Sequence, residues 1–321
     1  MKANRNNKKK VAYIADLHGN IPLYERLFKE AKKLKVDIFI GGDILPKEVS
    51  PESVQKEKAY KMQYEGNKAF MYVLASVQRD FIKKYLVPKV REFKRTGKSI
   101  YLMFGNDDLA CNLDLLEQAE HDGLVKLLYD KNFHIYEICK NTFIAGYGYV
   151  DLTPFGIKDW EKFDREKEPA KEVSFVGYKS YRKGRKCEIK EVNLDNQTFR
   201  KNTISRDLKN LVSVIGKEKI KRTIFVMHAP PANTFLDVCE RGHVGSFAIR
   251  SFIEKYQPIA TLHGHIHESY WLTGKYKQKI GKTICVNPGQ MTRTLHAILF
   301  DTSDISKLSL KTLPVYAYPS M

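Results

Sequence analysis

The sequence lacks any run approaching about 18 uninterrupted apolar residues, so it offers no membrane span. Cysteine is sparse and dispersed: Cys111, Cys139, Cys187, Cys239 and Cys285 show no CxxC spacing. Their odd number argues against both a disulfide framework and a thiolate zinc site. A reducing cytoplasm is the expected compartment. The opening stretch, MKANRNNKKKVAYIADLHGN, is basic but has no apolar segment of the kind a secretory signal requires. There is no internal repeat and no Pro/Ser-rich linker, which favours one domain carrying insertions over two domains. Acidic residues are in deficit, 37 Asp+Glu against 55 Lys+Arg, for a formal charge of +18. That balance suits acidic partners such as phosphates, nucleic acid or anionic lipid. It does not choose among them, and Lys-rich solvated helix faces explain it equally well.

What the chain does have is a core. Of its 321 residues, 43% are apolar, enough to exclude a disordered chain. After a basic tail (residues 1–10), which is expected to be disordered, short β-rich runs recur and end in polar clusters. They are VAYIADLHGN (11–20), DIFIGGDI (37–44), SIYLMFGNDD (99–108), RTIFVMHAP (222–230), IATLHGHIHE (259–268) and TICVNPG (283–289). An amphipathic segment, IPLYERLFKEAKKLKV, lies between the first two. Buried strands alternating with helices predict an α/β architecture over residues 11–321. Two intervals interrupt the rhythm. Residues 45–98 predict two helices, the first with a stripe of Ala69, Phe70, Val73, Leu74 and Val77, the second bent near Pro88. Residues 151–202 are highly charged, include YKSYRKGRK (178–186), and predict a partly extended cap or loop insertion. A helix capped by Thr203 or Ser205 and stopped near Gly216 follows.

Taken singly, the strand-end clusters are ordinary. Asp16-x-His18 reads as a capped turn, Gly-Gly-Asp43 as a tight turn, and a lone His228 after a strand as a hydrogen-bonded histidine. Together they carry more weight, because loops at the C-terminal edge of an open α/β sheet converge on one crevice. Five strands bring Asp16 and His18, Asp43, Asn106, His228, and His265 with His267 to that edge. Imidazoles, carboxylates and one amide oxygen form a mixed N/O set suited to Mn, Fe, Zn or Ni. An Asp at the centre can hold two cations roughly 3.5–4 Å apart. In Gly264-His265-Ile266-His267, an extended backbone places both imidazoles on one side.

The succession D-x-H, G-G-D, G-N-x-D, a strand-end His and G-H-x-H, with Asn287-Pro288-Gly289 beyond, resembles the calcineurin-like metallophosphoesterases over residues 14–267. The resemblance implies a two-sheet β-sandwich flanked by helices, a four-layer fold with a dinuclear metal centre at its edge. It implies Asp16, His18 and His267 as ligands of one ion. Asn106, His228 and His265 then hold the other, and Asp43 bridges them. His263, outside the block, is expected to be structural or to support a ligand. Two divalent transition-metal ions, Mn2+ foremost, then activate a hydroxide that attacks phosphorus in line. Set against Asp16, Asp43 and a bridging hydroxide, the ions leave a centre of about +1 that attracts phosphate oxygens.

One departure matters. The family's G-N-H block reads Gly105-Asn106-Asp107-Asp108 here, so Asp107 stands where a histidine usually assists the leaving group. An ionised Asp107 repels a phosphomonoester dianion more than a diester monoanion, which favours phosphodiesters. The bland alternative is that Asp107 only turns the chain and points away. His243, in RGHVGS (241–246), is either a stand-in acid beside a phosphate-binding loop or a satisfied loop histidine. Tyr147, Thr153 and Phe155 either line the pocket or pack, and Arg293 either meets a phosphate or is solvated. The leading expectation is a phosphodiesterase acting on a phosphorylated small molecule. A nuclease is a second reading, drawn from the charge and the tyrosine-interleaved basic segment. A metal-free scaffold binding a protein partner is a third.

Overall fold

The computed structural model describes residues 8–49, 67–128, 133–166, 176–194 and 200–315. Two six-stranded sheets face each other. The first runs β18 (Asp304–Pro314), β17 (Thr294–Asp301), β1 (Lys10–Ile14), β2 (Asp37–Gly41), β3 (Ile100–Met103), β4 (Lys126–Leu127). The second runs β15 (Lys277–Ile280), β16 (Thr283–Val286), β14 (Ala260–Leu262), β11 (Thr223–Met227), β6 (Thr142–Tyr147), β5 (Ile135–Cys139). The strands that carry the polar clusters are mutually parallel within each sheet: β1 to β2 to β3, and β6 to β11 to β14 to β16. Antiparallel strands close the edges at β17 and β18, β15 and β5.

Alternation along each strand builds the layers. On β1, Val11 and Tyr13 join Phe39, Tyr101, Ile224, Val226 and Leu262 between the sheets. Ala12 and Ile14 face outward, against Leu23, Leu27 and Phe28 of the helix Ile21–Leu34. On the far side, Phe225 and Met227 of β11 meet Leu208 and Leu211 of helix Ile204–Ile215 and Phe252 of helix Phe247–Tyr256. Period-two strands with both faces apolar therefore produce the sequence helix, sheet, sheet, helix, the expected four-layer fold. The Tyr13 hydroxyl donates to His263 O at 2.8 Å and ties the two sheets together beneath the site.

Helix starts follow local chemistry. Asn20 caps Ile21–Leu34 by accepting from Leu23 N. Thr203 caps Ile204–Ile215 by accepting from Arg206 N, and Gly216 ends that helix at φ +84°.

Residues 50–66 of the first insertion lie outside the described set, and the remainder holds two α-helices, as expected, joined end to end. Helix Asn67–Phe81 passes through a π-helical turn, Ile82–Leu86, into Val87–Lys94. Val87 N reaches back to Ile82 O, so the run widens just before Pro88, whose missing N–H and bulky ring a regular α-turn cannot accept. Val73 and Leu74 of the expected stripe are buried, together with Met71, Ala75 and Gln78, whereas Phe70 is 45% exposed. In the second interval, β9 (Val176–Lys183) and β10 (Lys186–Asn193) form an antiparallel hairpin. The short pairs β7 (Val150–Asp151) with β8 (Glu161–Lys162), and β12 (Val238–Cys239) with β13 (Gly242–His243), shape the loops above the sheets. Residues 1–7 of the basic tail and 167–175 and 195–199 of the charged interval lie outside the described residues.

Candidate metal centre

Asp16, His18, Asp43, Asn106, His228, His265 and His267 all follow the C-terminal ends of parallel strands, and the structure gathers them into one cluster. Four sit in left-handed backbone: φ is +58° at Asp16, +44° at His18, +50° at Asp43 and +66° at His265. Such a conformation costs a non-glycine residue on the order of 1–3 kcal/mol. Neighbouring bonds hold it: Asp16 N donates to Gly42 O, His18 N to Asp43 O, and Gly19 N to Ile44 O. The first two turns are therefore laced to each other. The G-H-x-H block is not extended, contrary to the spacing argument. His265 makes a sharp turn, and its own N–H donates to Asp16 Oδ1 at 2.9 Å. That turn, rather than an i, i+2 pleat, keeps both imidazoles at the site.

Distances divide the cluster into two halves with Asp43 between. On one side His18 Nε2 lies 3.0 Å from His267 Nε2, which is 3.8 Å from Asp16 Oδ1. On the other, His228 Nε2 lies 3.1 Å from Asn106 Oδ1, with the His265 ring 5.4 Å from that of His228. Asp43 Oδ2 is 3.8 Å from His18 Nε2 and 3.3 Å from His228 Nε2. Asp16, His18, Asp43 and His267 each offer a ligand atom within 4.8 Å of the others.

Electrostatics shows why this cluster fits cations. Burial holds His18 well below the usual histidine range, and His265 is pushed down to about 3 by burial and by His228. Both are neutral donors near pH 7. Burial also acts to lower His228, but the Asp43 charge and hydrogen bond outweigh it and hold the imidazole up at about 10. Burial acts to raise Asp43, yet His228 and His18 keep its carboxyl well below the carboxylate range. His18 Nε2 and His267 Nε2, 3.0 Å apart, are close enough to share one hydrogen bond or to serve as neighbouring ligands of one cation. Asp16 Oδ2 and His18 Nδ1 are buried without a hydrogen-bond partner. The N/O donor set, the closely set side chains and the unsatisfied atoms fit borderline divalent ions, and cation binding displaces the His228 proton.

Supporting bonds aim these side chains. His228 Nδ1 meets Gly41 O at 2.8 Å, which leaves Nε2 for the site. Asp107 does not point away. Its Oδ1 accepts from Asn106 Nδ2 at 3.0 Å, turning the amide oxygen inward, and its N–H donates to Asp43 Oδ1 at 2.9 Å. Asp107 Oδ2 lies 3.6 Å from His18 Nδ1.

Asp108 joins two ligand loops, accepting from Ile44 N, Leu45 N and Gly105 N at 2.8–3.1 Å while Trp160 Nε1 donates to its carbonyl. Asp108→Asn replaces one of these acceptor oxygens with an NH2 that faces backbone donors. The expected loss is about 2–3 kcal/mol of stability, read as a fall in chemical-denaturation midpoint. An unchanged midpoint contradicts this role.

Sequence reasoning missed Gln78. This fully buried helix residue donates from Nε2 to both Pro46 O (3.0 Å) and Asp107 O (2.8 Å), and accepts from Leu109 N at 2.9 Å. Its one visible sign was a polar residue at a helical spacing from apolar ones.

The remaining candidates make other contacts or are exposed. His263 is fully buried, bonded to Met227 O, Ala229 O and Thr261 Oγ1, with burial pushing it down to about 4. It is a structural histidine. His243 is not brought into the cluster's hydrogen-bond network; its Nδ1 bonds buried Asp237 Oδ1 at 2.8 Å and its ring is half exposed. Tyr147 is buried and donates to Asp207, and buried Thr153 donates to Glu161 Oε1, so both serve packing. Phe155 and Arg293 are exposed.

A four-layer α/β sandwich with an Asp/His/Asn cluster at its parallel strand ends defines a class, and comparison places the chain within it. Residues 9–269 match the family described as calcineurin-like phosphoesterase, and the chain belongs to that family. Family members act on phosphoric esters through a dinuclear metal centre. An uncharacterized protein of Methanocaldococcus jannaschii is 40% identical over 83 residues, 24% of this chain and 35% of the relative. The match thus spans about a third of that relative's length. A crystal structure aligns at 18% identity and TM-score 0.60, covering 95% of this chain and 99% of its own. The crystal structure of TT1561 from Thermus thermophilus aligns at 13% identity and TM-score 0.55, covering 96% and 99%. These likenesses concern the fold. Among the described residues, no helix is long and apolar enough to cross a membrane.

Proposed function

We propose that the chain hydrolyses phosphodiesters using two divalent transition-metal ions, manganese foremost. Asp16, His18 and His267 hold one, Asn106, His228 and His265 the other, and Asp43 is shared. When bound, the ions lower the pKa of water and neutralise phosphoryl oxygens. The chain's part is orientation: Gly41 O aims His228, and Asp107 turns Asn106 Oδ1 inward while its N–H fixes Asp43.

The observation that carries the diester reading is a carboxylate at the site where the family has an imidazole. Burial and Asp43 push Asp107 up to about 7, against an opposing effect of Lys47. Bound cations favour its ionised form and lower that value, so Asp107 is a carboxylate at and above neutral pH. A monoester with a second pKa near about 6 arrives as a dianion, and a diester arrives as a monoanion. The extra charge costs roughly 1–3 kcal/mol at partly solvated separations, or about 10- to 100-fold. With Mn2+, kcat/KM for bis(p-nitrophenyl) phosphate is expected to exceed that for p-nitrophenyl phosphate, by a ratio that grows over the range below about pH 7 in which Asp107 ionises and is level above it. Asp107→Asn should flatten that trend. A strong monoester preference across the range overturns the diester reading.

One observation favours a polymeric substrate as a second reading. The basic hairpin β9/β10 docks three residues beyond Asp108, where Cys111 N donates to Ser180 Oγ and Arg182 Nε donates to Cys111 O. Tyr181 is 43% exposed with Lys190 over its ring at 5.5 Å, while Tyr178 packs inward beside Met71 and Leu74. Nuclease activity that falls steeply with salt supports this reading.

A further inference from the structure

The candidate centre has Asp107 where the family has an imidazole. The loop after Asp43 carries a lysine, Lys47, next to a residue tied to the Asp107 turn. Its backbone is held from three directions. Ile44 N and Leu45 N donate to the Asp108 carboxylate, and Pro46 O accepts from Gln78 Nε2. The Pro46 ring lies against Gly19, so closely that a Cβ there would fall 2.4 Å from Pro46 Cγ. The Gln78 amide that holds Pro46 O also holds Asp107 O. Lys47 therefore leaves a fixed backbone between the His18–Gly19 turn and the Asn106–Asp108 turn. Its side chain is exposed and makes no ion pair among the described residues.

We propose that Lys47 is a substrate-binding residue that meets the leaving-group side of the phosphoester, supplying from the Asp43 loop the positive charge that Asp107 does not. This rests on the phosphoester reading above. As an exposed ammonium it acts as a point charge: it stabilises the oxygen that takes on negative charge as the P–O bond breaks, and water protonates that oxygen afterwards. No bond to Lys47 forms or breaks. The requirement for such a charge is greatest for poor leaving groups, which carry more negative charge at departure.

The test uses the full chain loaded with Mn2+, comparing wild type, Lys47→Ala and Lys47→Arg on aryl phosphodiesters with phenol and p-nitrophenol leaving groups. Lys47→Ala should lower kcat/KM about 10-fold for p-nitrophenol and about 100-fold for phenol. Lys47→Arg should recover most of both losses, since the charge is kept. A second readout is independent of turnover. Inorganic phosphate, one of whose oxygens takes the leaving group's position, should bind Lys47→Ala about tenfold more weakly by calorimetry, with metal content unchanged. Equal losses for both leaving groups, or unchanged phosphate affinity, overturn the assignment to Lys47 while leaving the phosphoesterase reading in place. A metal-loaded wild type inert towards every ester overturns both.

Discussion

Asp43→Asn is expected to lower Mn2+ occupancy from two ions towards one or none and to cut diesterase turnover about a thousandfold or more, with the fold retained. The centre is arranged around this carboxylate: Oδ2 lies 3.3 Å from His228 Nε2 and 3.8 Å from His18 Nε2, and Oδ1 accepts from Asp107 N at 2.9 Å. An Asn keeps the oxygen that accepts from Asp107 and so preserves the turn. It loses the negative charge and the second oxygen that a shared ligand needs. A metal centre contributes several kcal/mol of transition-state stabilisation, and each step of about 1.36 kcal/mol is a decade of rate, hence the thousandfold figure. The metal-free variant should melt near the wild-type temperature. It loses the pairing that holds His228 at about 10, but it also loses the charge that pushes Asp107 and Asp108 upward. Elemental analysis beside kcat settles the matter. Full occupancy with near-normal turnover removes Asp43 from the centre and the shared-ligand arrangement with it.

The cluster was legible because each member lies within a few residues of a strand end, and strand ends in parallel sheets share an edge. Local signals sufficed for Asp16, His18, Asp43 and the rest, as they did for the Thr203 cap and the Gly216 stop. What escaped depends on tertiary distance. Gln78 sits on a helix about thirty residues from either carbonyl it holds, and only the packing of that helix on the Asp107 loop gives its amide a purpose. Lys47 is one of 55 basic residues until the Pro46 contact with Gly19 shows where its chain emerges. The helical stripe held at Val73 and Leu74 but was misplaced at Phe70 for a related reason. Apolar periodicity tolerates a rotation by one position, and the buried polar Gln78, which fixes the true face, was absent from the apolar count. The backbone of G-H-x-H was misjudged because period-two reasoning assumes a strand, whereas left-handed φ at His265 belongs to the loop that follows one.

Gly105→Ala is expected to disable the enzyme about 100-fold or more by adding a single methyl group. Its effect separates space from backbone conformation, because Gly105 is not in left-handed backbone. A Cβ built there falls 2.4 Å from Asp43 Oδ1, 2.6 Å from Asp43 N and 2.6 Å from His228 Nε2. One of these atoms is backbone and the other two belong to buried cluster side chains that follow strands of opposite sheets, so the strain cannot be relieved without moving the cluster. Gly105 N also donates to Asp108 Oδ2 at 2.8 Å, so retreat of residue 105 pulls on the carboxylate that holds Ile44 and Leu45. A shift near 1 Å in a reacting geometry costs on the order of a hundredfold in rate. Overpacking adds about 1–3 kcal/mol of destabilisation, a fall of several degrees in melting temperature. Gly156→Ala is the matched control: its Cβ meets only Tyr178, at an ordinary 3.8 Å, so activity and metal content should be unaffected. If Gly105→Ala retains full activity and two ions, the Asp43 and His228 side chains are not confined as the structure places them, and the compact dinuclear geometry fails.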